Sequence, residues 1–147
     1  MIKVEYPIFD FKIKGEAGKE IIFDEVRKQW VRLKPEEWVR QNMLQYLLQN
    51  LQYPSTLIAV EKELKMGELK KRFDILVYDK QHKPWLMIEC KAMDIALDEN
   101  VLQQILRYNM SLPVAFMFIT NGTSVFGWDI KAGCKLMEGF PMLPLIL

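Results

Sequence analysis

Apolar positions recur at helical spacing between residues 34 and 50, where Trp38, Leu44, Leu47 and Leu48 fall on one face, extended by Leu51. Pro35 suits the first turn of such a helix, and Glu36 and Glu37 suit the positive end of its dipole. Tyr53-Pro54 ends it. The pattern then changes to strands at residues 57–64 and 72–78, separated by a turn at Met66-Gly67-Glu68. A polar loop at 79–84 leads to a further strand at 85–91. Helical spacing returns at 100–110, followed by a buried-looking strand at 114–119. Asn121-Gly122 is a strong turn signal, and residues 124–128 complete a hairpin. The first 34 residues are less regular. Residues 8–13 alternate imperfectly and read as a strand, residues 15–18 as a turn, 21–23 as a short strand and 24–30 as a loop or short helix.

Helix, three strands, helix, two strands describes an α/β or α+β protein, with a central mixed β-sheet flanked by helices. A length of 147 residues fits one compact domain, and half of them are apolar, enough for a core without disulfides. Net charge is +1, which excludes a strongly basic DNA-coating protein but allows a local basic surface. Cys90 and Cys134 are the two cysteines and His82 the single histidine, so a zinc site of ordinary type is not expected. No apolar run reaches the ~20 residues that span a bilayer, and the N-terminus has no secretory pattern. The expected location is cytoplasmic, without membrane insertion. The short apolar tail at 143–147 is expected to pack on the body or on a partner.

The chemistry-bearing pattern is Asp74, fourteen residues, then Glu89-Cys90-Lys91. Strand alternation puts Met87, Glu89 and Lys91 on one face, and Asp74 with Leu76 and Tyr78. If Tyr78 pairs with Trp85, Asp74 lies opposite Glu89, with β-carbons roughly 4.5–5.5 Å apart. Two carboxylates so close repel unless a cation compensates. Oxygen ligands favour Mg²⁺, or Mn²⁺ as substitute, and the Cys90 backbone carbonyl adds a further oxygen. Lys91 would sit beside the attacking water and the phosphate. The same acid-x-Lys spacing also fits a surface salt bridge on a half-exposed sheet.

The context narrows this choice. Arg72-Phe-Asp74-Ile-Leu-Val-Tyr-Asp79, followed by Pro84-Trp-Leu-Met-Ile-Glu89-Cys90-Lys91-Ala92, resembles the PD-(D/E)XK nuclease superfamily. More narrowly, it is similar to the N-terminal nuclease domain of type I restriction endonuclease R subunits. Pro35-Glu-Glu-Trp-Val-Arg-Gln41 resembles the helix before that core, and Gln104-Ile-Leu-Arg-Tyr108 a Gln-x-x-x-Tyr motif after it. Thr120-Asn-Gly122 before an aromatic strand also fits. The likeness runs from about residue 27 to 130. It implies a restriction-endonuclease-like fold and Mg²⁺-dependent hydrolysis of DNA phosphodiesters. It further implies Asp74 and Glu89 as metal ligands, Lys91 as catalytic lysine, Glu37 as an additional helix acid, and Gln104 with Tyr108 beside the site. Phe73 stands where the superfamily name has proline. Gly15-Glu-Ala-Gly18-Lys19 lacks the spacing of a Walker A loop, so no ATP-driven translocation is expected from this segment.

Expected partners are therefore DNA, other restriction or repair subunits and, for two-strand cutting, a second copy in a homodimer. RNA remains open as a substrate. A non-catalytic module that keeps the fold to bind nucleic acid or protein is the rival reading. Lys70, Lys71 and Arg72 are then either a solvated charge run or phosphate contacts.

Overall fold

The computed structural model describes residues 1–144. It contains a three-stranded antiparallel sheet and a six-stranded mixed sheet. The small sheet holds β1 (Ile13–Glu16), β2 (Lys19–Asp24) and β3 (Gln29–Arg32). Helix α1 (Pro35–Gln45) follows, continued by a π turn at Tyr46–Asn50. The large sheet runs in the order β4 (Ile58–Met66), β5 (Leu69–Tyr78), β6 (Pro84–Cys90), β7 (Phe116–Thr120), β8 (Val125–Asp129) and β9 (Lys135–Leu136). Helix α2 (Glu99–Asn109) lies between β6 and β7 in sequence, and that strand pair is the parallel one. This is a mixed α+β architecture compatible with a restriction-endonuclease-like fold, with helices on both faces of the large sheet. Among the described residues, no helix is long and apolar enough to cross a membrane.

The helices form for local reasons. Pro35 occupies the first turn of α1, beside Glu36 and Glu37. Asp98 caps α2, its carboxylate accepting from the Val101 N–H at 2.9 Å. Each helix buries its apolar stripe against one face of the sheet. On the α1 face, Val39, Met43, Leu44 and Leu47 meet Ile75, Val77, Leu86, Ile88 and Phe118. On the other, Leu102 and Leu106 of α2 meet Leu76, Met87, Met117 and Ile119. β6 is therefore covered on both sides. Residues 85–88 are all buried, as an unbroken apolar run in a central strand should be.

The structure adds elements that the apolar pattern did not announce. Residues 8–12 are not a strand, and Ile8 is fully exposed. Residues 25–28 form the turn of a hairpin whose second strand, β3, was not anticipated. Asp24 holds that turn, accepting from the Val26 and Arg27 backbone N–H groups at 2.8 and 2.7 Å. β9 is likewise new. It is two residues long and forms one edge of the large sheet. β4 forms the other edge and carries exposed Lys62, Glu63 and Lys65. Of the apolar tail, Leu143 packs against the core on the α1 face, while residues 145–147 lie outside the described residues.

Gly127 on β8 faces the Phe118 ring so closely that a β-carbon would fall within it. The Phe118 ring in turn stacks on Phe140, with centroids 4.2 Å apart. Gly127→Ala should destabilise the protein by about 1–3 kcal/mol through overpacking. Gly15→Ala, in open space, should stay within ~0.5 kcal/mol. Urea unfolding of the two variants measures the difference.

Candidate nuclease-like site

The hairpin of β5 and β6 has the expected register in its middle: Ile75, Leu76 and Val77 lie opposite Ile88, Met87 and Leu86. Its closure differs. Tyr78 pairs with Pro84, not Trp85, and the register shifts at Val77/Tyr78. Asp79 makes the tighter turn possible, its carboxylate accepting from the Gln81 and Lys83 N–H groups at 2.8 and 3.0 Å. His82 completes the turn at φ 61°.

The larger departure lies at Asp74. Alternation would place it beside Leu76, on the α2 face. Phe73 instead packs with Leu76 and Met87 there. The Asp74 carboxylate reaches the end of β6, where Oδ2 accepts from the Cys90 N–H at 2.8 Å. Its Oδ1 accepts from Arg40 of α1 at 3.3 Å. The β4–β5 ladder is irregular at the same level. Val60 pairs with Ile75 and Lys62 with Phe73, while the position between them is unpaired. Glu61 there has φ 51°, in the left-handed region.

Glu89 keeps its expected face. Its Oε1 lies 3.7 Å from Lys91 Nζ, and its Oε2 lies 4.0 Å from Lys71 Nζ. Burial and then the nearby Asp74 charge push its carboxyl above the usual range, against the pull of Lys71 and Lys91. Lys71, Glu89, Lys91, Gln104, Ile105, Tyr108 and Asn109 together line a cleft of about 360 Å³. Gln104 and Tyr108 of α2 are thus brought beside Glu89 and Lys91. Tyr108 is 76 % exposed, with Lys71 Nζ 5.5 Å from its ring centroid. Of the charge run 70–72, Lys71 joins this cleft, Lys70 pairs with Glu63, and Arg72 pairs with Glu61.

Glu37 is placed elsewhere. Its carboxylate accepts from Arg40 at 2.8 Å and from Arg27 and Gln41 at 3.1 Å. Its neighbour Glu36 is the α1 acid that senses the site. Burial raises its carboxyl first, and the charge of Asp74 adds to the effect. The helical phase separates the two acids: Glu37 shares a face with Gln41, as its sequence spacing indicated, and Glu36 with Arg40. Cys90 ends β6 with its thiol buried in the α1-side core, where burial pushes it well above its ordinary range. Its contribution to a metal site would be the backbone carbonyl. Among the described residues, no group of three or more His, Cys, Asp or Glu is gathered closely enough to hold a metal ion. Asp74 acts on Glu89 through its charge, which adds to the effect of burial on the Glu89 carboxyl.

Arg40 is the residue that the motif reading passed over. The position of Arg40 two residues after Trp38, inside an amphipathic helix, gave the only signal. Its side chain is 5 % exposed and meets Glu37, Glu61 and Asp74 at 2.8, 3.0 and 3.3 Å. Burial alone would make its charge harder to keep, and the surrounding carboxylates outweigh that. Arg27 extends the network, pairing with Asp24, Glu37 and Glu61. The buried Asp24 also accepts from Gln41 at 2.8 Å.

A family profile described as the type I restriction enzyme R protein N terminus (HSDR_N) matches residues 35–144. The chain belongs to this family. The match begins at Pro35, so β1, β2 and β3 lie outside it. Among solved structures, the chain is similar to a fragment assigned as an HsdR subunit of a type I restriction enzyme from Vibrio vulnificus YJ016. Identity is 22 %, covering 58 % of this chain and 19 % of that one, with a TM-score of 0.41. No curated protein sequence matches significantly.

Removing the Arg40 charge should be costly, because three carboxylates lose their shared donor. Arg40→Met is expected to destabilise by ~3–5 kcal/mol, the usual range for breaking a buried pair. Arg72→Met, at an exposed pair with Glu61, should cost under ~1 kcal/mol. Thermal and urea unfolding at low salt check both values.

Proposed function

We propose that this HSDR_N-family chain is a Mg²⁺-dependent deoxyribonuclease domain acting within a restriction system. The observation that carries this reading is the pairing of Glu89 and Lys91 at the end of β6, in a cleft shared with Gln104 and Tyr108, with the Asp74 carboxylate bound to the N–H of the intervening Cys90. The donor set fits a hard cation. Asp74 and Glu89 offer carboxylate oxygens, and their mutual repulsion is the imbalance that a divalent ion relieves. When bound, such an ion polarises a phosphoryl oxygen and lowers the pKa of its water. Asp74 and Glu89 would hold it, with the Cys90 carbonyl beside them and Glu36 as the helix acid in reach of the field.

The remaining groups have positioning tasks. The Cys90 N–H and Arg40 fix the Asp74 carboxylate, leaving each oxygen a second lone pair for a ligand. Lys91 sits 3.7 Å from Glu89 and is placed to neutralise charge that develops on a scissile phosphate. Lys71 brings a second cation to the same cleft. Gln104 and Tyr108 form its far wall and can contact the sugar–phosphate backbone.

One observation favours a second reading, a binding module without catalysis. Both Asp74 oxygens already accept hydrogen bonds, one of them from a buried guanidinium that also competes electrostatically with a cation. In that case Lys71 and Lys91 would still meet phosphates, and no metal would be needed.

Calorimetric titration with Mg²⁺ and Mn²⁺, with and without DNA, separates the readings. On the nuclease reading, binding is present in the wild type and lost in Asp74→Ala. Lys91→Ala keeps the metal and loses at least ~100-fold in cleavage rate, the usual scale for a charge-stabilising group. Absence of metal binding in both titrations supports the binding module.

The raised Glu89 carboxyl adds a pH dependence. A carboxyl raised on folding stabilises the fold only below its ordinary pKa, and that contribution is lost as pH rises through the folded value. Glu89→Gln should therefore raise the Tm of the metal-free protein at pH 7. Metal affinity in the wild type should fall as pH drops through the raised value, because the proton competes for the same oxygens. Calorimetry across pH 5–8 follows both trends.

A further inference from the structure

The three-stranded sheet lies outside the family match, so the shared core does not account for it. Its two faces differ sharply. Ile22 and Asp24, on one face of β2, are buried against the body. Alternation puts Lys12, Lys14, Lys19, Phe23, Trp30 and Arg32 on the opposite face. The pairing agrees: Lys14 and Arg32 flank Ile21, and Phe23 lies opposite Trp30. Lys12, next to β1, continues its ladder, its carbonyl accepting from the Phe23 N–H at 3.0 Å.

This outer face is basic and aromatic in a chain of net charge +1. All four cations are exposed, against one strand acid on that face, Glu16. The two aromatic rings support the lysines. Lys14 Nζ stands 4.4 Å from the Trp30 ring centroid and Lys12 Nζ 5.6 Å from that of Phe23. Held over rings rather than against carboxylates, both ammonium groups keep their outward hydrogen-bond donors for another partner. Trp30 itself is 39 % exposed. The strand positions of Lys12 and Lys14 lie about 7 Å apart, roughly the axial rise of two nucleotides in one DNA strand.

The face also leads towards the site. Arg32 reaches a second cleft of about 450 Å³, where Arg27, Lys34 and Arg40 are interleaved with Glu36, Glu37 and Glu61. Glu36 on its wall lies close enough to Asp74 and Lys91 for both charges to act on its carboxyl, so the cleft leads from the outer sheet towards the hairpin residues.

We propose that the outer face of the β1–β3 sheet is a DNA-docking platform that grips the phosphate backbone and leads it along the Arg32–Lys34 cleft to Asp74 and Lys91. It rests on the nuclease-like reading for its substrate class, but it concerns binding alone. Charge complementarity selects the phosphate backbone, and the lysines stacked over the rings favour backbone contact over base reading.

The test is fluorescence anisotropy with a labelled DNA duplex in EDTA, over a range of salt. The variants are Lys12→Gln/Lys14→Gln/Arg32→Gln, its charge-keeping counterpart Lys12→Arg/Lys14→Arg, and, as a control, Lys131→Gln at an exposed lysine in the turn after β8. The triple variant should bind at least ~10-fold more weakly, with a salt slope shallower by about three, near one for each phosphate that is no longer neutralised. The arginine variant should bind like the wild type, and Lys131→Gln, off the platform, should retain the wild-type salt slope to within about one unit. An unchanged slope in the triple variant, no DNA binding by the wild type, or tighter binding of an RNA duplex would overturn the platform. Platform-dependent binding by a protein that neither cleaves DNA nor takes up metal would sustain this inference and sink the nuclease reading alone.

Discussion

A buried guanidinium has to be surrounded by acceptors, and Arg40 imposes that constraint on half of this protein. A side chain so deeply covered cannot give up its charge, so carboxylates must come to it. They come from three elements: Glu37 on α1, Glu61 on β4 and Asp74 on β5. Arg27 brings the hairpin turn of the small sheet into the same network through Asp24, Glu37 and Glu61. The network thus joins the added N-terminal strands, the first helix and the acid that opens the site. Asp24 and Glu61 show its strength. Burial works to raise both carboxyls, and the surrounding arginines, with Gln41 at Asp24, bring them below the ordinary range instead. Such groups support the fold above the ordinary carboxylate range, and that support fades as pH falls through their lowered values.

The other half depends on β6. It is buried on both faces until its last residues, so Glu89 and Lys91 are delivered by a strand with no freedom to shift. The adjacent parallel pairing extends that control, since Glu89 lies beside Ile119 and Cys90 beside Thr120. The candidate site residues Glu89 and Lys91 lie where this strand emerges from the core. There burial first, and then the charge of Asp74, raise the Glu89 carboxyl beyond what the local lysines offset. A strand fixed by packing and a carboxylate left electrostatically unsatisfied are the two ingredients that a cation site requires.

Much of this was legible in the chain. The order of the main elements followed from periodicity, because α1, α2 and β6 carry long, uniform patterns. Glu89 and Lys91 pair and share a cleft with Gln104 and Tyr108, while Asp74 reaches the same strand end through the Cys90 N–H. Other features depended on tertiary contacts that no local pattern records. The change of face at Asp74 coincides with the left-handed Glu61 at the same level of the neighbouring strand. The choice between Glu36 and Glu37 depends on Arg27 and Arg40, whose partners lie far apart in sequence. β3 was hidden because a four-residue strand with two polar ends carries little periodicity, and its turn reads equally well as a helix start. The π turn after α1 preserved the apparent length of the helix, so sequence spacing alone could not reveal it.

The edges of the large sheet have a consequence for assembly. One edge carries alternating lysine and glutamate charges on β4, and the other is a two-residue strand that offers little backbone to pair with. Neither invites a neighbour to extend the sheet. A second copy would have to approach by a route other than extension of the large sheet, through a helix face, a cleft rim or an edge of the small sheet.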